Sequence, residues 1–116
     1  MTISASQVAA GVHRVTRTVE YLIDGAEPMK MSYGYRQFTP RRLVVTVERA
    51  SDVDWRMKAV VADGPRLLKS GKHGQEERER DLRPRVSRDG GWINILDPDA
   101  PQWVADCVGQ TIREAR

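Results

Sequence analysis

The stretch that decides the fold is residues 42–63, RLVVTVERASDVDWRMKAVVAD. Apolar residues alternate with their neighbours in both of its halves, as they do in half-buried strands. These residues are Leu43, Val45 and Val47, followed by Trp55, Met57, Ala59 and Val61. The segment between the halves, 50–54, has the length and polarity of a hairpin loop. The stretch therefore predicts a β-hairpin.

The cross-strand pairs of this hairpin support the prediction. If Glu48 faces Arg56, the other pairs are Val47–Met57, Val45–Ala59 and Val44–Val60. Apolar side chains then meet apolar ones, and opposite charges meet across the pair. This agreement favours one register over its alternatives.

On the N-terminal side, two more segments show strand patterns. Residues 28–36 alternate clearly, and residues 12–24 are rich in Val and Thr. The valines of 12–24 also have helical spacing, so a helix is the alternative prediction for this segment, and a strand is the favoured one. Residues 1–11 are small and polar, and are predicted to form a flexible arm or one helical turn.

On the C-terminal side, the chain alternates between turns and strands. Residues 63–65, Asp-Gly-Pro, and residues 70–74, SGKHG, are predicted turns. The charged segment 75–88 suits only a solvated or edge strand, and its Pro84 limits the length of that strand. Residues 92–96, WINIL, predict a last strand.

The chain closes with an amphipathic helix over residues 99–115. Asp99 is the predicted N-cap, and Gly109 weakens the helix or allows close packing on the sheet. The predicted apolar face consists of Trp103, Val104, Cys107, Val108, Thr111, Ile112 and Ala115. Strands followed by a helix predict a single α+β domain over 1–116. It has an antiparallel sheet of about four to six strands within 12–96, and the helix packs on one face.

Composition narrows the class of protein. The net charge is only +3, and no apolar run approaches the length of a membrane span. The N-terminus lacks the features of a secretory signal, so a cytoplasmic protein is expected. Arginine outnumbers lysine 15 to 4, as a GC-rich genome would produce, which suggests a bacterial or phage source. A virion component is the alternative localisation.

No set of residues predicts an enzyme. The segment 64–73 has six residues between its glycines and a His after the Lys, so it is not a phosphate-binding loop. The only cysteine, Cys107, lies on the predicted apolar helix face, where a thiol packs as a small hydrophobe. The pairs Asp52–Asp54 and Asp97–Asp99 suit turns and caps. We therefore expect no catalytic residues, no cofactor and no metal site.

The leading functional prediction is a protein–protein interaction or assembly domain, with a homo-oligomer expected. Its sheet edge and charged hairpin offer docking surfaces. The candidate contacts are Lys72, Arg78, Arg80, Arg83 and Arg85. In the charged strand, Glu77, Glu79 and Asp81 would form one acidic face with the arginines opposite.

The alternative prediction is a small nucleic-acid-binding domain. Residues 29–42 interleave cations with aromatic rings and contain no acid, a pattern that suits single-stranded nucleic acid. The candidate contacts are Tyr33, Tyr35, Arg36, Phe38, Arg41 and Arg42. The difficulty is that Tyr33 and Tyr35 share a face with Met29 and Met31, which favours a core role for the rings.

Overall fold

The fold is an antiparallel sheet with one C-terminal helix, which confirms the predicted α+β class. The computed structural model describes residues 1–10, 16–31, 36–49, 55–82 and 96–115. In these residues the elements are β1 Thr2–Ala10, β2 Thr16–Asp24, β3 Met29–Lys30, β4 Gln37–Phe38, β5 Arg42–Arg49, β6 Trp55–Leu67, β7 His73–Asp81 and α1 Gln102–Ala115. The predicted strand at 92–96 lies outside them, apart from Leu96.

All seven strands belong to one sheet. The order runs β1-β2-β5-β6, β3 pairs with β4, and β4 pairs with the end of β6. The other edge of β6 pairs with β7, because Val61 and Asp63 have partners in both β5 and β7. Within the described ranges, the strands paired on one side only are β1, β7 and the short β3, and they form the edges of the sheet. The short β3 and β4 raise the strand count above the predicted four to six.

The β5–β6 hairpin confirms the predicted register near its loop and departs from it further on. Glu48 pairs with Arg56 and Val47 with Met57, but a β-bulge follows between Thr46 and Val47. Val45 then pairs with Val60 rather than Ala59, and Val44 with Val61 rather than Val60. The extra residue at the bulge moves Val60 and Ala62 onto the buried face.

The predicted turn at residues 63–65 is instead part of β6. Gly64 makes this possible, because Thr39 crosses so closely that a Cβ at Gly64 would lie 1.8 Å from the Thr39 carbonyl oxygen. The Pro65 carbonyl accepts a hydrogen bond from the Thr39 N–H at 3.0 Å. Pro65 is tolerated because it stands next to an irregularity in the β6–β7 pairing. The predicted turn at 70–74 is confirmed around Gly71, whose φ is +84°.

The core lies between the helix and one face of the sheet. On the sheet side it contains Val19, Tyr21 and Ile23 of β2, Leu43, Val45 and Val47 of β5, and Val60 and Ala62 of β6. The helix packs on these three strands with Val104, Cys107, Val108 and Thr111, all buried. Trp103 and Ile112 are half-buried beside them, as the predicted apolar face requires.

Two boundaries differ from prediction. The predicted N-terminal arm contains a strand, β1, which pairs with β2 from Thr2 to Ala10 with one register shift between Gln7 and Ala9. The helix starts at Gln102, so Asp99 does not cap it; Asp99 instead donates its backbone N–H to Asp97 Oδ1 at 2.9 Å in the preceding turn. Pro101 directly precedes the first helical residue. This position suits proline, because its ring holds φ near the helical value.

Replacing Gly109 by alanine is expected to stabilise the protein by about 0.5–1 kcal/mol. Gly109 is inside the helix, and an added Cβ would meet only the end of the flexible Arg113 side chain, at 3.2 Å. No sheet residue would come within 4 Å of that Cβ. Urea denaturation would measure the gain. A loss of stability would show that Gly109 packs more closely than this geometry indicates.

Candidate interaction site

β1 is an edge strand that lacks the charges and prolines that normally protect an edge, and its pairing with β2 shifts register once, between Gln7 and Ala9. In the described part of the chain only β2 pairs with it, so one row of its backbone N–H and C=O groups faces outward. Its sequence, TISASQVAA, contains no charged residue and no proline. Exposed edges of this kind readily accept another strand, and proteins usually block them with charges, prolines or short strands.

β7, at the opposite edge, is protected by charge. Six of its nine residues, HGQEERERD, are charged. The register places Glu77, Glu79 and Asp81 opposite Pro65, Asp63 and Val61, on the sheet face away from the helix. Arg78 and Arg80 point to the other face, as the alternating pattern predicted. The two edges therefore differ strongly in their ability to accept a further strand.

Exposed apolar side chains cluster beside β1. Four large apolar side chains are exposed in the described residues, and three of them lie here. Met1 directly precedes β1, Ile3 is part of β1, and Leu22 lies on the adjoining β2. Met1 is 61% exposed and Leu22 51%. Ile3 pairs with Ile23 and Ser4 with Leu22, so the apolar groups flank the edge on both faces of the sheet.

Of the predicted partner contacts, two arginines are already bound within the chain. Arg80 donates to Asp97 Oδ2 at 2.8 Å and to the Lys30 carbonyl at 3.3 Å. Arg78 forms an ion pair with Glu76. Lys72 is exposed in the turn between β6 and β7. Arg83 and Arg85 lie outside the described residues.

The Arg80–Asp97 pair joins β7 to the turn that precedes the helix. Burial opposes ionisation of Asp97, but the Asp99 N–H and Arg80 outweigh it, so the pKa of Asp97 lies below its ordinary value. The Asp97–Asp99 pair thus forms a turn and anchors β7 to it, whereas the sequence had predicted a helix-capping role.

The sheet face away from the helix carries a carboxylate cluster around Arg42. Arg42 contacts Asp63 Oδ2 at 3.2 Å and Glu20 Oε2 at 3.7 Å. Burial raises the pKa of Asp63; Arg42 opposes that shift, while Glu77, Glu79 and Glu20 add to it. The shallow cavity here has a volume of about 640 Å³. Within the described residues, no group of three or more His, Cys, Asp or Glu side chains has an arrangement that could hold a metal ion.

The predicted nucleic-acid contacts differ in burial and in charge pairing. Phe38 is completely buried, so its ring cannot stack on a base, and its prediction as a nucleic-acid contact is wrong. Arg42 is held by Asp63 and Glu20 in an acidic environment. Arg36 and Arg41 are exposed. Tyr33 and Tyr35 lie outside the described residues.

Cys107 is buried in the core, and His73 is exposed at the start of β7. Burial raises the pKa of the Cys107 thiol to about 11, and Asp106 adds to the shift, so the thiolate is disfavoured at neutral pH. His73 Nε2 shares a hydrogen bond with Thr39 Oγ1 at 2.8 Å, at an exposed position. The other histidine, His13, lies outside the described residues.

A second cavity of about 580 Å³ opens beside the start of the helix. Its walls include Met29, Pro101 and Trp103, with Lys30 and Glu27 among the polar groups. Charges of both signs line it, so no single ligand chemistry is favoured.

Comparison of the chain with protein-family models, with curated proteins and with solved structures gives no match. No helix in the described part of the chain is long and apolar enough to cross a membrane.

Of the surfaces described above, the β1 edge is the one that the sequence pattern did not identify. The period-two alternation of Thr2, Ser4 and Ser6 with Ile3 and Ala5 was the available signal, but small residues gave it little contrast.

Proposed function

We propose that this protein is an assembly domain that associates with a second copy of itself through β1. The observation that carries the proposal is the contrast between the edges: β1 is uncharged and open, whereas β7 is densely charged. Antiparallel pairing of two β1 strands about a twofold axis would satisfy the outward backbone groups of both copies. The sheet would then continue across the dimer.

Charge and exposure favour a second copy of β1 as the strand that pairs with this edge. Two copies of β1 can approach without like-charge repulsion, because the strand has no ionisable side chain. The exposed Ile3 and Leu22 next to the edge would become partly buried by the partner, which adds a hydrophobic contribution. Two β7 strands, in contrast, would bring Glu77 and Glu79 of both copies together.

The charged hairpin has less support as the contact surface than the sequence suggested. Arg80 anchors β7 to Asp97, and Arg78 is paired with Glu76. Reversing the charge of Arg80 would place two carboxylates together and disturb the monomer itself. Lys72 remains an exposed candidate in that region.

The Ser4→Lys/Ser6→Lys variant is expected to be monomeric. Both serines are exposed in β1, and in a paired dimer the variant would crowd four new ammonium groups near the twofold axis. Light scattering on a sizing column should give twice the chain mass of 13.1 kDa for the unmodified protein and 13.1 kDa for the variant. Circular dichroism would verify that the variant is folded.

The matched control is Ser70→Lys/Gln75→Lys, which adds the same two charges at exposed positions of the β6–β7 turn and β7. It should keep the dimer mass. An unmodified protein that runs as a monomer at high micromolar concentration contradicts the proposal. So does a dimer that persists in Ser4→Lys/Ser6→Lys, or one that the control disrupts equally.

A further inference from the structure

Two hairpin ends lie side by side at one end of the sheet. Lys30 pairs with Gln37, Gln37 with Leu67, and Leu67 with His73, so these four residues form one row across four strands. Just beyond the row, the Met31 N–H bonds to the Arg36 carbonyl at 3.0 Å, and the Leu68 N–H to the Lys72 carbonyl at 2.8 Å. We call this end of the sheet the hairpin end.

The hairpin end carries four exposed cations that have no acidic partner in the described part of the chain. They are Lys30, Arg36, Lys69 and Lys72. Other cations in the described residues are paired, such as Arg17 with Glu114 at 3.2 Å and Arg80 with Asp97 at 2.8 Å, whereas Arg41 and Arg113 are exposed without an acidic partner. The hairpin end thus holds four of the six described cations that lack an acidic partner, although the whole chain carries only +3.

The first acidic residue of β7, Glu76, does not neutralise this end. Glu76 already forms ion pairs with two arginines, Arg78 and Arg66, the latter at 3.8 Å. That three-residue cluster has a net positive charge of its own. Glu27 shares a cavity with Lys30, but four cations outnumber it, so the hairpin end has an excess of positive charge, and a polyanion is the partner whose charge complements it.

We propose that the hairpin end binds the phosphodiester backbone of nucleic acid. A row of four strands spans roughly 15 Å at the usual strand spacing. One strand of a duplex places a phosphate every 3.4 Å or so along the axis, which gives about four phosphates in that span. Four flexible cations can reach these phosphates without reading the bases, so binding is sequence-independent and weakened by salt.

This surface differs from the nucleic-acid site predicted from the sequence. It uses neither the buried Phe38 nor the acid-bound Arg42, and it adds Lys30, Lys69 and Lys72, which belong to separate parts of the chain. Lys30 shares a cavity with Met1, which directly precedes β1, so the test uses Lys69 and Lys72 of the β6–β7 turn.

Fluorescence anisotropy with a labelled mixed-sequence duplex tests the proposal. The logarithm of the association constant should fall with the logarithm of salt concentration with a slope of about −3 to −4. From 50 to 200 mM salt the affinity should therefore drop about a hundredfold. In Lys69→Gln/Lys72→Gln the slope should become shallower by about 2, since each lost phosphate contact removes about one unit.

The matched control is Lys58→Gln/Arg113→Gln, which removes two exposed cations from other parts of the molecule. It should leave the slope unchanged. Absence of binding at low salt, a salt-independent affinity, or an equal change in both variants would overturn the proposal. Displacement of the duplex by polyglutamate as effectively as by unlabelled duplex, at equal charge concentration, would assign the surface to acidic proteins instead.

Discussion

Replacing Gly64 by alanine is expected to destabilise the protein by about 3 kcal/mol or more. The new Cβ would lie 1.8 Å from the carbonyl oxygen of Thr39 and 2.8 Å from its carbonyl carbon. These are backbone atoms, so no side-chain rotation relieves the overlap. The chain between Phe38 and Arg42 would have to move away from β6, which would break the Thr39–Pro65 hydrogen bond.

Urea denaturation at a fixed protein concentration measures this loss, because association contributes to apparent stability. The matched control is Gly74→Ala in β7, where the nearest atom to an added Cβ is a Leu68 methyl carbon at 3.5 Å, an ordinary contact. We expect the control to change stability by less than about 1 kcal/mol. If both variants behave alike, the close approach at Gly64 is not a constraint on the fold.

Replacing Tyr21 by alanine should cost about 3–5 kcal/mol. Tyr21 is completely buried at the centre of β2, with its ring under the helix. Its hydroxyl lies 3.0 Å from the Cys107 carbonyl oxygen and 2.7 Å from Thr111 Oγ1. Truncation therefore removes a fully buried aromatic ring between sheet and helix, along with both polar contacts. Loss of the cooperative unfolding transition would also agree with this prediction.

Tyr21→Phe separates the ring from the hydroxyl. Thr111 Oγ1 donates to the Cys107 carbonyl at 2.8 Å, so the threonine keeps a partner when the phenol oxygen is removed. The cost should then be about 1 kcal/mol, the usual net value of one hydrogen bond. A Tyr21→Phe variant as unstable as Tyr21→Ala would mean that the hydroxyl, rather than the ring, joins the helix to the sheet.

The β5–β6 hairpin shows where sequence patterns predict structure well. Val47 and Glu48 alternate in the same way as Met57 and Arg56, so the pairs next to the loop follow from local alternation. Beyond Thr46 the bulge shifts every pair by one. Local alternation favoured Ala59 and Val61 as buried residues, whereas contact with the helix requires Val60 and Ala62 on that face.

The candidate sites were less predictable than the fold. The charges of β7 and their two faces follow from alternation, but the pairing of Arg80 with Asp97 joins residues 17 positions apart. The hairpin end combines Lys30 and Arg36 with Lys69 and Lys72 through the β4–β6 pairing. No local pattern specifies that pairing, because it consists of only two residue pairs.

The order of amino acids was sufficient to establish the antiparallel sheet, the C-terminal helix and the apolar face of that helix. These features arise from short-range periodicity, which each segment carries in its own residues. The extension of β6 through Gly64 and Pro65, the β1 edge and the Arg80 anchor depend on contacts between distant segments. Such contacts are set by how the whole chain excludes water and pairs its backbone groups, so they emerge only when all the strands are assembled.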